Sequence, residues 1–254
     1  FDKTNETEKA IRETADKLYR RVEWDWMMND NETMSMGYHP QGTPGASPKH
    51  GFIPAQWKGY NEAMVLIIMA MGSPTHPIDS NAWQNWCATY PWDTFYGQEN
   101  VQFDPLFGHQ YSHVWIDFRG IQDEYMRTKG IDYFENSRRA TLSNRAYCIA
   151  NPKGAKGYGE WCWGLTACDG PASKKMIVNG KDWEFFDYRA RGAASIQVVD
   201  DGTIAPTAAG GSYPFEPALC DSTLKYMWNT YYTDLVGEYG FKDAMNESKN
   251  WYAD

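Results

Sequence analysis

The stretch from Ile53 to Met71 constrains the fold more than any other part of the sequence. It reads IPAQWKGYNEAMVLIIMAM and ends in nine consecutive apolar residues. A membrane span needs about 18 or more, so this run is too short to cross a bilayer. We therefore predict a helix over residues 59–71 whose apolar face is buried in a globular core.

Glu62 is the exceptional residue of this segment, because it stands one turn into the predicted helix, just ahead of the apolar run. Burying an unpaired charge costs several kcal/mol, so the carboxylate must be paired, hydrogen-bonded or held protonated. A protonated carboxylic acid beside aromatic rings is what the cleavage of a glycosidic bond requires. The alternative is an ordinary helix-start glutamate stabilised by the helix dipole, and position alone favours that alternative. The neighbours that we include as candidate sugar-binding residues are Trp57, Tyr60 and Asn61.

Net charge and aromatic content narrow the class of ligand. A net charge of -9 argues against nucleic acid and against anionic membrane surfaces, while a neutral ligand is compatible with it. Aromatic residues make up 16% of the chain, and their flat faces suit both core packing and stacking against sugar rings. Most will be core residues, but several lie in segments rich in Gly and Pro that we predict to be loops: Trp92, Phe95, Tyr96, Tyr158, Trp161 and Trp163.

The motifs of several enzyme classes are absent. The sequence has no GxSxG, no P-loop, no GxGxxG after a strand and no Cys/His nucleophile pattern, which weighs against serine hydrolases, kinases and dehydrogenases. The five cysteines form no CxxC, which excludes the usual zinc framework. Cys162 and Cys168 could pair across a loop, but free buried thiols are at least as much expected. We expect no cofactor.

The periodicity of apolar residues predicts a mainly helical chain. Helices are predicted over residues 6–28, 59–71, 79–89, about 105–129, about 133–150 and about 216–238. Residues 151–215 are predicted to be mostly loop, with short strands at Met176–Val178 and Trp183–Tyr188 around an Asn179-Gly180 turn. No linker divides the chain, so we predict one domain over residues 1–254. Helical hairpins with loops gathered at one end favour an α/α toroid, and a plain bundle fits the periodicities equally well.

The segment FDPLFGHQYSHVWIDFR, residues 103–119, carries two histidines four residues apart on one predicted helix face. That spacing suits a metal pair, but no third ligand is near in sequence, and we expect no metal. Polar side chains lining a sugar pocket, from His109, Gln110 and His113, fit better. Asp117 and Arg119 add charge to the segment, and a structural ion pair is their alternative role.

The loop GYGEWCWGLTACDGP, residues 157–171, places Glu160 and Asp169 among Trp161 and Trp163. Carboxylates beside exposed rings are good acceptors for sugar hydroxyls. Tyr96 and Glu99 join the same set of candidate substrate-binding residues. Glu99, Glu160 and Asp169 are also the alternatives to Glu62 as the acid. The segment DDGTIAPTAAGG, residues 200–211, is predicted to form a wall of the cleft.

Long and uncommon strings of this sequence resemble the bacterial glycoamylase-like domain family, which includes endo-β-1,2-glucanases and relatives attached to cyclic β-1,2-glucan synthases. The strings are VEWDWM, GFIPAQWKGYNEAM, MGSPTHP, FYGQE, PLFGHQYSHVWIDFRGIQDEYM, YFENSRRAT, GYGEWCWGLTACDGP and DDGTIAPTAA. The resemblance runs from about residue 15 to about residue 245.

The resemblance implies an (α/α)6 barrel with a sugar cleft at one end and, in the glucanases, hydrolysis with inversion. It implies that Glu62, in the YNEA string, is a catalytic or pocket carboxylate. Asp243, in GFKDAMN, resembles a family carboxylate less closely and is the candidate base. An oligo- or polysaccharide substrate and a periplasmic or extracellular location are the corresponding expectations. A transglycosylating or exo-acting relative and a carbohydrate-binding module without catalysis are the other functions considered.

The sequence departs from the family pattern at both ends. The family's upstream acidic motif DxxxDLVE and its closing helices have no counterpart here, and the predicted helices number about six, half of what the toroid needs. The chain also opens directly into a helical pattern without a signal peptide. We therefore expect either processing or truncation, or a second chain that completes the barrel.

Overall fold

The computed structural model describes residues 2–48, 50–178 and 180–253. These residues form two compact units. The first comprises the chain up to Gly59 together with Ala63–Tyr90, and the second comprises Tyr60–Glu62 and the chain from Pro91 onward. The prediction of one domain over residues 1–254 stays a prediction.

The first unit is built from three helices and one short hairpin. The helices are α1 (Glu6–Arg20), α2 (Met64–Met71) and α3 (Asn81–Cys87), and strands β1 (Tyr38–His39) and β2 (Gly51–Phe52) pair antiparallel. Asn5 caps α1 by accepting a hydrogen bond from the N–H of Glu8. Helix α1 ends at Arg20 instead of residue 28, and a separate 3-10 turn covers Trp26–Met28.

The second unit contains the remaining helices and six two-stranded antiparallel ribbons. Its helices are α4 (Phe107–Gln110), α5 (Glu124–Lys129), α6 (Tyr133–Ala150), α7 (Pro206–Gly211) and α8 (Pro217–Leu235). Its strands, in paired order, are β3 (Trp92–Phe95) with β4 (Gln98–Val101), β5 (Ala167–Asp169) with β8 (Tyr188–Ala190), β6 (Lys174–Val178) with β7 (Lys181–Phe185), β9 (Gly192–Ala193) with β10 (Val198–Val199), β11 (Val236–Gly237) with β12 (Gly240–Phe241), and β13 (Met245–Asn246) with β14 (Trp251–Tyr252).

Helix α6 positions most of the second unit, and its bounds coincide with those predicted. Asp132 caps it by accepting from the N–H of Glu135. Its buried face carries polar side chains that bond to neighbouring backbone. Asn136 accepts from the N–H of Val101 at 2.8 Å, and Asn144 bonds both the N–H and the carbonyl of Leu165. Because every such bond fixes one position on one neighbour, this polar face sets the register of β4 and of the loop through Leu165.

The structure also tests the remaining predicted helices, the predicted hairpin and the possible disulfide. The helices predicted over 79–89 and 216–238 are confirmed as α3 and α8. The hairpin predicted within 151–215 is confirmed as β6 with β7, although Asn179 of its turn lies outside the described residues. All five cysteines are buried free thiols, so the disulfide considered for Cys162 and Cys168 is not formed. In the described part of the chain, no helix is long and apolar enough to cross a membrane.

Candidate functional site

The segment Tyr60–Glu62 belongs to the second unit, where the Tyr60 ring is buried against other rings. Its centroid lies 5.0 Å from that of His109 and 5.9 Å from that of Tyr133, with which it stacks. Burial raises the pKa of Tyr60 well above its usual value, against the opposing effect of a hydrogen bond with Ser137. The hydroxyl is therefore neutral, and the ring packs against protein groups, so a role of Tyr60 in binding sugar stays a prediction. Asn61 is buried beside it.

Glu62 is half-buried, and the environment of its two carboxylate oxygens is uneven. The Oε2 atom is buried, and it has no hydrogen-bond partner within the part of the chain that the structure describes. Helix α2 begins at Met64, so the prediction that Glu62 stands one turn inside a helix is wrong. Glu62 lies instead in the turn that precedes the helix. A buried carboxylate oxygen without a donor is destabilising, and such atoms are unusual in native proteins unless a ligand satisfies them.

His109 and His113 do not share a continuous helix, because the helix predicted over residues 105–129 is interrupted. Only Phe107–Gln110 is α-helical, a 3-10 turn covers Tyr111–Val114, and α-helix resumes at Glu124. Both imidazoles instead bond to the start of α6 or to nearby backbone. His109 Nε2 lies 3.1 Å from the carbonyl of Phe103, and its Nδ1 lies 3.5 Å from the amide of Asn136. His113 Nε2 lies 3.0 Å from the hydroxyl of Ser137.

These partners and the burial make both histidines neutral at ordinary pH. Desolvation lowers the pKa of His109 to about 4 and the pKa of His113 to about 4. A carbonyl can only accept, so the Nε2 of His109 carries the proton and its Nδ1 accepts from Asn136. Among the described residues there is no group of three or more His, Cys, Asp or Glu side chains that could hold a metal ion.

Gln110, Asp117 and Arg119 serve contacts within the protein. The Gln110 amide donates to the carbonyl of Ala208 and to the hydroxyl of Ser212, at 2.8 Å each. Asp117 and Arg119 form the ion pair that was the structural alternative, with Nη1 and Oδ2 at 3.0 Å, and both are exposed. Their contribution to substrate binding stays a prediction.

Tyr96, which the sequence analysis placed in a loop, lies with Glu99 on the hairpin of β3 and β4. Tyr96 and Gly97 connect β3 to β4 with φ values of +46° and +78°, as a tight hairpin turn requires. The Tyr96 ring is 40% exposed and packs edge-on against Tyr147 of α6 at 5.7 Å. Glu99 accepts a hydrogen bond from the indole N–H of Trp92 at 2.8 Å.

Glu160, Trp161 and Trp163 are close in sequence but differ in environment. Glu160 forms a 3.2 Å ion pair with Arg145 of α6, and the Arg145 guanidinium also lies 5.7 Å from the Trp161 ring. Trp161 is 38% exposed and can stack on a ligand. Trp163 is completely buried in the core, so the expectation of an exposed Trp163 ring is wrong.

Asp169 and Asp243 are joined by a hydrogen bond. The backbone N–H of Asp169 donates to the side-chain Oδ2 of Asp243 at 2.7 Å. Both side chains are exposed.

Trp57 belongs to the first unit, where its N–H donates to the carbonyl of Met34. The predicted approach of the Tyr96 or Trp161 loop to Glu62 stays a prediction, as do the roles of all these residues.

Helix α6 carries side chains that contact several of these residues. Tyr133, Asn136 and Ser137 near its start contact Tyr60 and the two histidines, and Arg145 and Tyr147 further along contact Trp161 and Tyr96. A helix rises 1.5 Å per residue, so about 12 Å separates positions 137 and 145 along its axis. One rigid element therefore supports both groups of aromatic and polar side chains.

The sequence analysis did not predict a buried cluster of charged groups. In this cluster Asp200 and Asp201, from the segment predicted to be a cleft wall, bond to side chains elsewhere in the second unit. The guanidinium of Arg191 is fully buried and bidentate on Asp201, with distances of 2.7 and 2.8 Å. Asp200 accepts from the hydroxyls of Tyr147 at 2.8 Å and Tyr158 at 2.6 Å, and Lys153 Nζ contacts its carbonyl. The repeated acid in DDG was the available signal, because adjacent acids before a glycine often bond to their own turn.

Comparison with known proteins shows what the chain is similar to. Residues 54–254 match the glycoamylase family model, described as "putative glucoamylase". The chain is 29% identical, over 99% of its length, to an exo β-1,2-glucooligosaccharide sophorohydrolase (non-reducing end) of Parabacteroides distasonis, and covers 35% of that protein.

Solved structures are similar to this chain over nearly its whole length. A "putative glucoamylase" from Bacteroides uniformis has a TM-score of 0.81 and 36% identity, over 99% of this chain and 56% of that one. An endo-β-1,2-glucanase from Chitinophaga pinensis, in complex with sophorotriose and glucose, has a TM-score of 0.79 and 30% identity, again over 99% and 56%. The chain thus spans a third to about half of the length of these relatives. With its mainly helical structure and a match over residues 54–254, the chain belongs to the glycoamylase family.

Proposed function

We propose that this protein is a glycoside hydrolase that cleaves β-linked glucan, specifically β-1,2-glucan, with Glu62 as the general acid. The observation that carries the proposal is the buried Oε2 atom of Glu62, which has no hydrogen-bond partner among the described residues. A protein keeps such an atom at a cost in stability, and a substrate oxygen that receives its proton would satisfy it. The names of the relatives supply the substrate class.

In the proposed reaction Glu62 protonates the leaving glycosidic oxygen while a second carboxylate activates water on the opposite face of the sugar, giving inversion. Asp243 is the candidate base, and it already accepts the N–H of Asp169, which fixes its carboxylate. The neighbouring rings would exclude water from the bond being broken.

Endo and exo action both have a specific observation in their favour. The Chitinophaga relative is named as an endo-β-1,2-glucanase, and the Parabacteroides relative as an exo-acting sophorohydrolase. The two modes use the same acid and differ in how the ends of the cleft are blocked. An (α/α)6 barrel and a periplasmic or extracellular location are the corresponding proposals for architecture and location.

Product analysis on linear β-1,2-glucan tests the proposal. The purified protein is incubated with the polymer, and the products are separated by size over time. A mixture of oligosaccharides from the start indicates endo action, and a single short sugar released steadily indicates exo action. Binding of the glucan without any product would refute the hydrolase and indicate a carbohydrate-binding module. The Glu62→Gln variant, run in parallel, identifies background hydrolysis.

A further inference from the structure

A pocket of about 310 Å³ lies beside the candidate site and is not part of any role assigned above. Phe103, Asp104, Tyr188, Arg189 and Gln197 are among the residues that line it. It adjoins the cluster around Tyr60 through Phe103, whose carbonyl bonds His109 Nε2 at 3.1 Å. Its volume is at the lower end of the range of small-molecule sites.

The backbone around Asp104 is fixed by close packing. The N–H of Ala193 donates to the carbonyl of Asp104 at 3.0 Å. A Cβ atom added to Gly192 would fall 2.0 Å from the carbonyl carbon of Asp104, so strand β9 can approach this closely only with glycine there. The pocket wall is therefore a preformed feature of the fold.

The carboxylate of Asp104 keeps hydrogen-bonding capacity for a ligand. The amide of Gln197 lies 3.5 Å from Oδ2, which is a long hydrogen bond, and a carboxylate can accept about four. Burial raises the pKa of Asp104, against the opposing effects of a backbone N–H and of the Arg189 charge. A partly desolvated carboxyl group in a pocket is a typical feature of a binding site.

The pocket also contains an exposed aromatic ring, that of Tyr188, and one side chain of each charge, Asp104 and Arg189. Tyr188 is 64% exposed, so its ring is available for stacking. It lies directly opposite Asp169 in the pairing of β5 with β8, which puts the two side chains on one face of the ribbon. Asp104 would repel an anion and Arg189 would repel a cation, while both can hydrogen-bond to hydroxyl groups. An uncharged polyhydroxylated ligand fits this arrangement best.

We propose that this pocket binds one unit of a neutral sugar chain, with Tyr188 as the stacking surface and Asp104 as the hydroxyl acceptor. The inference rests on the proposed function for the identity of the sugar chain, and it assigns the pocket to an additional position of that chain beyond the bond that is cleaved. It also gives Asp169, which shares the face of Tyr188, a place beside the bound sugar.

Calorimetric titration with sophorotriose tests the pocket, in the Glu62→Gln background so that the sugar is not consumed. We expect Tyr188→Ala and Asp104→Asn each to weaken binding by roughly tenfold or more, the effect of losing one good contact. Tyr188→Phe keeps the ring and should bind as the parent does. The matched control is Tyr239→Ala, because that side chain is 96% exposed and lies on another ribbon, between β11 and β12.

The outcomes separate this inference from the proposed function. If both Tyr188→Ala and Asp104→Asn bind sophorotriose as tightly as the parent, the assignment of this pocket as a sugar site is wrong, even if wild-type protein hydrolyses β-1,2-glucan. Lost affinity in both variants, without hydrolysis by the wild type, would support the pocket and refute the hydrolase. No affinity of the parent for sophorotriose would overturn the pocket assignment as well, because that sugar is its proposed ligand.

Discussion

Asp201 and Glu62 both place carboxylate oxygens inside the second unit, and their surroundings differ sharply. Asp201 is fully buried, with both oxygens bonded by the Arg191 guanidinium and by backbone N–H groups of Phe186 and Thr203. Glu62 has a buried Oε2 atom without a partner in the described part of the chain. The first arrangement stabilises a fold, and the second is stabilising only when something binds. Under the proposed function, this difference separates a structural acid, Asp201, from a catalytic one, Glu62.

Removal of Arg191 should produce the largest loss of stability. Arg191→Met would leave the Asp201 carboxylate buried without its cation, and breaking a buried pair in this way typically costs about 3–5 kcal/mol. The measurement is the free energy of unfolding in urea. The control is Lys225→Met, which removes the partner of an exposed 2.7 Å pair with Asp221 and should cost less than about 1 kcal/mol. Equal losses in the two variants would contradict the structural role of Arg191.

Acid should destabilise the protein through its buried histidines. The pKa of His109 is about 4 in the folded protein and 6.5 ordinarily, so the unfolded chain binds the proton first as pH falls. The free energy of unfolding is therefore complete above about pH 6.5 and decreases toward pH 4, by about 3 kcal/mol for this group. Urea unfolding across that pH range measures the effect. His109→Gln should remove this group's part of the decrease and leave the part due to His113, whose pKa is also about 4, and the exposed His50→Gln should leave the profile unchanged.

A smaller loss is expected from the tyrosine hydroxyls that bond Asp200. Tyr147→Phe removes one donor from this buried carboxylate, and a hydrogen bond to a charged group is worth about 1.5–3 kcal/mol. Tyr239→Phe, at a position that is 96% exposed, is the matched control and should have no effect. A loss no greater than that of the control would show that Asp200 does not depend on Tyr147.

Glu62 should contribute least to stability. Because its Oε2 atom has no partner among the described residues, Glu62→Gln removes no known bond and should change the free energy of unfolding by less than about 1 kcal/mol. A loss comparable to that of Arg191→Met would mean that Glu62 is also a structural carboxylate.

The sequence predicted the helices whose patterns are local. Helix α6 was predicted over 133–150 and has those bounds, because its cap and its neighbours on each turn all favour helix. The prediction over about 105–129 was wrong because one distant contact and two local features interrupt the helix. His113 bonds Ser137 of α6, Asp117 folds back on the N–H of Arg119, and Gly120 has a φ of +72°. The left-handed φ of Gly120 in particular is incompatible with a continuous α-helix.

The site was predictable as a set of residue types but not as an arrangement. The strings around Glu62 and His109 led to both residues, yet no pattern in the sequence shows that Tyr60 packs between His109 and Tyr133. Arg191 and Asp201, by contrast, were not predicted to form a buried ion pair. The repeated acid in DDG indicates a polar turn, but the pairing of Asp201 with Arg191, ten residues away, depends on the ribbons that bring the two residues together. Asp104 was missed for the same reason, since its pocket is completed by strand β8 and by Gln197.

The most direct test of this account is turnover of β-1,2-glucan and affinity for sophorotriose, measured on the same Glu62→Gln protein. An amide keeps the shape of the side chain but cannot deliver the proton, and general acid catalysis is typically worth about 10²–10⁴-fold. We expect turnover to fall by that factor while affinity stays close to that of the wild type, and we expect Glu13→Gln, an exposed position on α1, to change neither. Unchanged turnover in Glu62→Gln would contradict the account and move the search for the acid to Glu99, Glu160 and Asp169.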